Sequence, residues 1–335
     1  MELRLQPLEP FADGSVIQRL ARLRQDRGDV LPRQLPIDAE DEQGLLVGIE
    51  PGYWVGEYEE AIGLAQDAAA SARAVGDAFL LMAALPQLGL ALCGCGRYRE
   101  ALQAFEEARR FGRDHNIGGF FARAIAMSAG VRFDLYDDRG AESRVEEARE
   151  LSRSSGFPPP ALNAGLDLLL ILARRGDVGR AEKLVDEVRD GLENGIAWQG
   201  WLWKIRFAHA RAELALAKGE WEEAYRLAGD VVSRASATDR VKYEVEGLLA
   251  RARALDGLRR RDDGVADRQA AVALVRRTAD PAAFLRAAGE LLRVREDEAL
   301  DLEARKTAGR IVAELPEGDL RRCFATAPPI APLLR

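Results

Sequence analysis

Gly96-Arg97-Tyr98-Arg99-Glu100-Ala101-Leu102-Gln103-Ala104-Phe105-Glu106-Glu107-Ala108 is the stretch that decides the fold. Glycine opens it, an aromatic residue follows two positions later, and Ala101, Phe105 and Ala108 then fall on one helical stripe. The spacing predicts a tight turn and the second helix of an antiparallel helix pair. The glycine supplies the backbone freedom that such a turn needs.

Working outward, the same frame recurs. Ala61, Ala101, Ala141 and Ala181 stand 40 residues apart, and each is followed at +4 and +7 by small or apolar residues. These are Ala65 and Ala68, Phe105 and Ala108, Val145 and Ala148, Val185 and Val188. Five residues before the alanines come Gly56, Gly96, Tyr136 and Gly176, so the third copy departs from glycine. A fifth copy, Gly219 to Ala224, follows after 43 residues, which puts three extra residues in the connection around 191–200. A weaker sixth copy carries Gly264 at the alanine position, and Ala250-Arg251-Ala252 repeats Ala210-Arg211-Ala212 at 40 residues. A fixed period of this size marks stacked helical pairs.

First helices are expected at Phe79–Leu92, Ile117–Asp134, Pro160–Arg174, Trp198–Lys218 and Thr238–Leu258. Leu88-Gly89 is a large-small pair that lets two helices approach closely. Asp280-Pro281 is a helix start that opens a last pair, 281–293 and 297–314. A closing helix over about 317–325 leads into Pro328-Pro329-Ile330-Ala331-Pro332, which cannot continue it. The N-terminal residues are less regular: Ser15 is a candidate cap for one helix running to Arg27. Ala21 lies 40 residues before Ala61, as in an orphan second helix, so the chain is expected to be the C-terminal piece of a longer protein. The organisation expected is an irregular segment over 1–40, a repeat array over 41–316, and a capping helix with tail over 317–335. The fold class is all-α, an α-α superhelix of about six to seven helix pairs.

Gly-x-Tyr-x-x-Ala-x-x-x-Phe-x-x-Ala, preceded by Leu88-Gly89, resembles the tetratricopeptide (TPR) repeat. The 40-residue period resembles the extended variant in large bacterial signalling ATPases and transcription regulators. The run Trp201–Ala224 and the tail Ile311–Phe324 are similar to the repeat region that follows their ATPase module. The resemblance covers about residues 40–325 and implies a TPR-like solenoid that binds rather than catalyses. Their nucleotide loop, Gly-x-x-x-x-Gly-Lys-Ser/Thr, is absent from this sequence, so ATP hydrolysis does not carry over.

Composition narrows the classes of activity. Hydrophobic residues at 47% suffice for a continuous core. A net charge of −7 argues against a general nucleic-acid binder, which needs a basic face. Three cysteines, Cys93, Cys95 and Cys323, fit a reducing cytoplasm better than a disulfide framework. The first twelve residues have no apolar run of a signal peptide. Ala78–Gly96 holds 19 uncharged residues, yet Pro86, Gln87 and its glycines place it in the repeat rather than a membrane.

Neither histidine, His115 nor His209, belongs to a zinc or nucleophile motif. Cys93-x-Cys95 has no second ligand pair and reads as the small-residue end of a first helix. Glu59-Glu60, Glu106-Glu107 and Glu222-Glu223 read as helix-opening acids that face water and the positive end of a helix dipole. Catalytic residues, cofactor and metal are therefore expected to be none.

The stripe of the first helices that lines the groove holds the binding candidates. Arg206, His209 and Glu213 lie on it at i, i+3 and i+7, with Glu246 and Arg253 in the next copy. Arg123 and Asn163 are the other polar residues on this stripe. The 40-residue register makes Arg206 a neighbour of Glu246 and Glu213 a neighbour of Arg253. One reading is a ladder of partly exposed salt bridges, worth about 0–1 kcal/mol each; the other is a polar recognition patch. Trp198, Trp201, Trp203 and Phe207 crowd the start of the same helix, as core plugs or as contact residues; Tyr53 and Trp54 form a second aromatic pair.

These features lead to a non-enzymatic scaffold or sensor of a signalling or regulatory system, with a protein or peptide in the concave groove. The alternatives are a small-molecule sensor with its pocket at Trp198–Glu213, and an enzyme whose active site has no recognised motif.

Overall fold

The computed structural model describes residue 53 and residues 55–115, 118–194 and 200–335. The expected helix at Ser15–Arg27, the boundary at residue 40, Trp54, Trp198 and the connection 195–199 lie outside the described residues. The described residues form α-helices joined by short turns, with no strand among them. In chain order these are α1 Tyr58–Val75, α2 Ala78–Gly94, α3 Tyr98–Asp114, α4 Gly118–Asp134, α5 Asp138–Ser155, α6 Pro159–Arg174 and α7 Val178–Asn194. They continue with α8 Gly200–Lys218, α9 Trp221–Ala237, α10 Val241–Gly257, α11 Arg261–Val275, α12 Pro281–Leu292, α13 Glu298–Glu314 and α14 Asp319–Thr326. A 3-10 turn at Ala331–Leu334 closes the chain.

The repeat frame maps onto the turns. The residue five before each second helix's first small residue has left-handed backbone: Gly56 at φ 92°, Gly96 at 81°, Gly176 at 74° and Gly219 at 73°. Tyr136 at 62° and Arg259 at 63° take the same conformation without being glycine. A side chain there costs about 1–2 kcal/mol. Tyr136 offsets that by stacking obliquely on Phe324, with ring centroids 6.3 Å apart. Gly89 lies against the Phe105 ring, where a Cβ would come within 2.7 Å, so the large-small pair does set the α2–α3 approach. Asp280 caps α12 by accepting from the Ala283 amide at 2.9 Å.

One local expectation needs correcting. Glu106 and Glu107 sit mid-way along α3; the acid in its first turn is Glu100. The apolar stripe of that helix, from Tyr98 through Phe105 to Ala108, sets which residues face inward, and the acids are exposed simply because they fall on the other side. No described helix is long and apolar enough to cross a membrane.

Successive first helices α2, α4, α6, α8, α10 and α12 pack side by side along the inside, and the second helices cover them. The coil is tight enough to meet itself. One core cluster joins Ala61, Leu92, Tyr98, Phe105 and Leu135 from the early helices to Val245, Phe284, Leu285, Leu300, Phe324 and Ile330 from the late ones. At the same seam Gly56 abuts Thr278, Gly96 abuts Pro281, and Tyr58 donates to Asp280 at 3.4 Å. The middle repeats have their own core, from Ile125 through Leu169 and Leu172 to Trp203 and Leu214. The inner face of the first helices therefore curves around a deep space that stays partly open to solvent.

Candidate functional site: an axial chamber walled by ion pairs

Inside the coil the first helices leave a chamber of about 160 Å³. Arg123 on α4, Asn163 on α6, Arg206 and His209 on α8 and Glu246 on α10 all line it. Glu213 and Arg253 are not among its lining residues; they lie one step away in the ion-pair network. Trp201 falls within α8, its side chain outside the described residues; Trp203 lines the wall, 5% exposed and part of the middle core. Tyr53 contributes a buried ring beside Tyr58, with centroids 5.8 Å apart.

The polar residues meet in an order that only part of the repeat register anticipates. Glu213 accepts from Arg253 at 2.8 and 2.9 Å, the expected neighbour. Arg206 does not pair with Glu246. Its guanidinium donates to the Asn163 side chain and to Asp167 at 2.5 Å, both on α6, the first helix of the preceding pair. Three extra residues ahead of α8 bring Arg206 into line with Asn163 at a spacing of 43. Glu246 instead accepts from Arg174 at 2.6 Å and from Arg286 at 2.8 Å.

Arg174 also donates to Glu213 at 3.1 Å, and Arg286 reaches Asp134 at 3.1 Å. Lys242 donates to Asp134 at 2.8 Å. The result is one continuous chain, Arg253–Glu213–Arg174–Glu246–Arg286–Asp134–Lys242, that starts on α10, crosses the axis, and returns to it. Its glutamates are buried, Glu213 at 2% and Glu246 at 6% exposure, while their cations stay partly open, Arg253 at 32% and Arg174 at 21% of the side chain, so the pairs are exposed on the cation side only. The cause is ring closure, which covers the stripe with helices from the other end of the array. Removing one partner of such a pair costs more than the surface value, about 1.5–3 kcal/mol.

Electrostatics follow the pairing. Burial pushes the Glu213 carboxyl up, but Arg253 and Arg174 outweigh it and hold the group well below the usual carboxylate range. Glu246 is lowered in the same way, with Arg286 and Arg174 overcoming burial. Asp134 is lowered as Lys242 and Arg286 overcome its burial, and Lys242 is raised well above its ordinary value by Asp134. Asp167 goes the other way: burial raises it despite Arg206.

His209, Glu213 and Glu246 offer ligand atoms within 4.8 Å of one another. The donor set does not fit a divalent cation. All four carboxylate oxygens already accept from Arg174, Arg253 or Arg286, so a metal would enter a nest of guanidinium charge. Cys93 and Cys95 are free thiols at the end of α2, and burial raises both.

Arg174, Asp134, Lys242, Arg286 and Asp167 are the residues that sequence reasoning missed. Asp134 and Lys242 are 108 residues apart and share no repeat register. Asp167 stands 39 residues before Arg206, one helical turn beyond Asn163, which the three-residue extension aligns with Arg206 at 43.

The fold and this inner face define a TPR-like α-α superhelix, a repeat scaffold of helical pairs coiled around an axial chamber. Neither a known family model nor a curated protein matches the sequence. Among solved structures, a tetratricopeptide repeat protein from Parabacteroides merdae ATCC 43184 is similar, at 16% identity and a TM-score of 0.41. The match covers 84% of this chain and 96% of that one.

Proposed function

We propose that the array is a non-enzymatic binding module of a regulatory or signalling system, and that its binding place is the axial chamber. The observation that carries this reading is the concave inner face, which wraps around one polar chamber. The stripe that serves as a groove in an open array here lines a chamber of about 160 Å³, close to the roughly 150 Å³ of a cavity that takes up a benzene-sized compound. A small polar compound fits that space. An extended peptide, rising about 3.3 Å per residue, needs an open channel. A protein partner remains compatible with the scaffold, since stacked helical pairs present long outer surfaces; it would be met by the second helices and not by Arg206 or His209.

The test uses Trp203 as the reporter in the chamber wall. Melting temperature and tryptophan fluorescence are followed against a panel of small polar metabolites. A saturating ligand at about 100 times its Kd adds about 2.7 kcal/mol of stability. A panel without response, together with capture of a protein partner that survives Arg206→Lys and His209→Gln but is lost on substituting exposed residues of the second helices, would reject the chamber as the binding place.

A further inference from the structure

Cations in the chamber wall keep donors that its carboxylates do not use. Arg174, Arg206 and Lys242 line it against Asp134, Asp167 and Glu246. Lys242 has three N–H donors and makes two bonds, to Asp134 at 2.8 Å and to the Tyr53 hydroxyl at 3.4 Å. Arg206 has five; it spends Nη1 on the Asn163 side chain and Nη2 on Asp167 at 2.5 Å and the Asn163 carbonyl at 3.5 Å. Its Nε–H and second Nη1–H are outside those bonds. The two cations face one volume, since Arg206, Lys242 and Tyr243 all line the chamber. The acceptors nearby are committed elsewhere. Both oxygens of Glu246 hold Arg174 and Arg286, and both oxygens of Asp134 hold Lys242 and Arg286.

We infer that the chamber takes a small anion whose carboxylate or phosphate oxygens are bound by Arg206 and Lys242. This rests on the chamber being the binding place. An oxyanion matches the fork of a guanidinium and the point charge of an ammonium, and it accepts from the donors that Arg206 and Lys242 leave unused. Each contact is a charge-assisted bond, so losing either residue weakens binding by at least about tenfold.

The experiment is a matched panel at constant ionic strength: sodium phosphate, sodium propionate, glycine, ethylammonium chloride and glycerol, read by melting temperature and tryptophan fluorescence. Expected is stabilisation by phosphate or propionate, weakened at least about tenfold by Arg206→Gln and by Lys242→Met. Arg206→Lys, which keeps the charge, loses less. Preference for phosphate over propionate identifies a phosphate-bearing ligand, and the reverse a carboxylate-bearing one. Stabilisation by glycine, ethylammonium or glycerol with no effect of either anion overturns the anion and leaves the chamber standing. No response to any probe rejects both. Should a variant not fold, the wild-type panel alone decides.

Discussion

Asp134 and Lys242, 108 residues apart, meet at 2.8 Å across the axis of the coil, and Arg286 approaches the other oxygen of Asp134 at 3.1 Å. This contact ties α4 to α10 and α12 across the inner face. Asp134→Ala takes the carboxylate from Lys242 and leaves Arg286 with Glu246 alone, and is expected to destabilise the chain by about 1.5–3 kcal/mol in urea unfolding. The pair Asp134→Leu with Lys242→Met removes both charges together and should cost clearly less than the sum of the single changes. Additive costs in that cycle would mean the two side chains are not coupled.

The acid response follows from Glu213 and Glu246, whose folded-state values lie below the ordinary glutamate value of 4.5. Groups lowered by folding contribute stability that is present above about pH 4.5 and lost as pH falls toward their folded values. Asp167 and Asp280, raised by burial, act in the opposite direction and lessen the slope. Thermal melts between about pH 3 and 7 should therefore fall most steeply below about pH 4.5. Glu213→Gln should flatten that fall while lowering stability at neutral pH, since Arg253 and Arg174 lose their shared carboxylate. An unchanged acid slope in that variant would count against the network as its source.

Gly89 is held by contact, not by backbone conformation. Its Cβ would meet the Phe105 ring at 2.7 Å, so Gly89→Ala should cost about 1–3 kcal/mol by overpacking. Gly89→Ala with Phe105→Leu should recover part of the loss, measured by chemical denaturation.

Arg259 has left-handed backbone at φ 63° and an exposed side chain. Arg259→Gly relieves the strain and should leave stability unchanged or raise it by up to about 1 kcal/mol. Tyr136→Gly relieves the same strain at φ 62° yet removes a ring packed on Phe324, so it should destabilise. Equal shifts in melting temperature for the two variants would argue that Tyr136 packing contributes nothing.

The local frame was legible because it is written in short-range chemistry. Gly96, Tyr98, Ala101, Phe105 and Ala108 specify a turn and a helix face within a dozen residues, and their copies at 40 residues specify a stack of pairs. The period also brought out Arg123, Asn163, Arg206, His209 and Glu246, which share one wall, and the contact between Glu213 and Arg253. Even Tyr136, off the glycine pattern, keeps the turn conformation that its place in the repeat requires.

What the repeat could not fix is how tightly the stack coils. That depends on small rotations added at every helix-helix contact, and a few degrees per pair decide between an open trough and a closed ring. Closure is settled by groups distant in sequence: Asp134 on Lys242 and Arg286, Tyr58 on Asp280, Gly96 against Pro281 and Tyr136 against Phe324. Only the tertiary structure turns the polar stripe into the wall of a chamber, because burial and charge pairing arise when the two ends of the array meet.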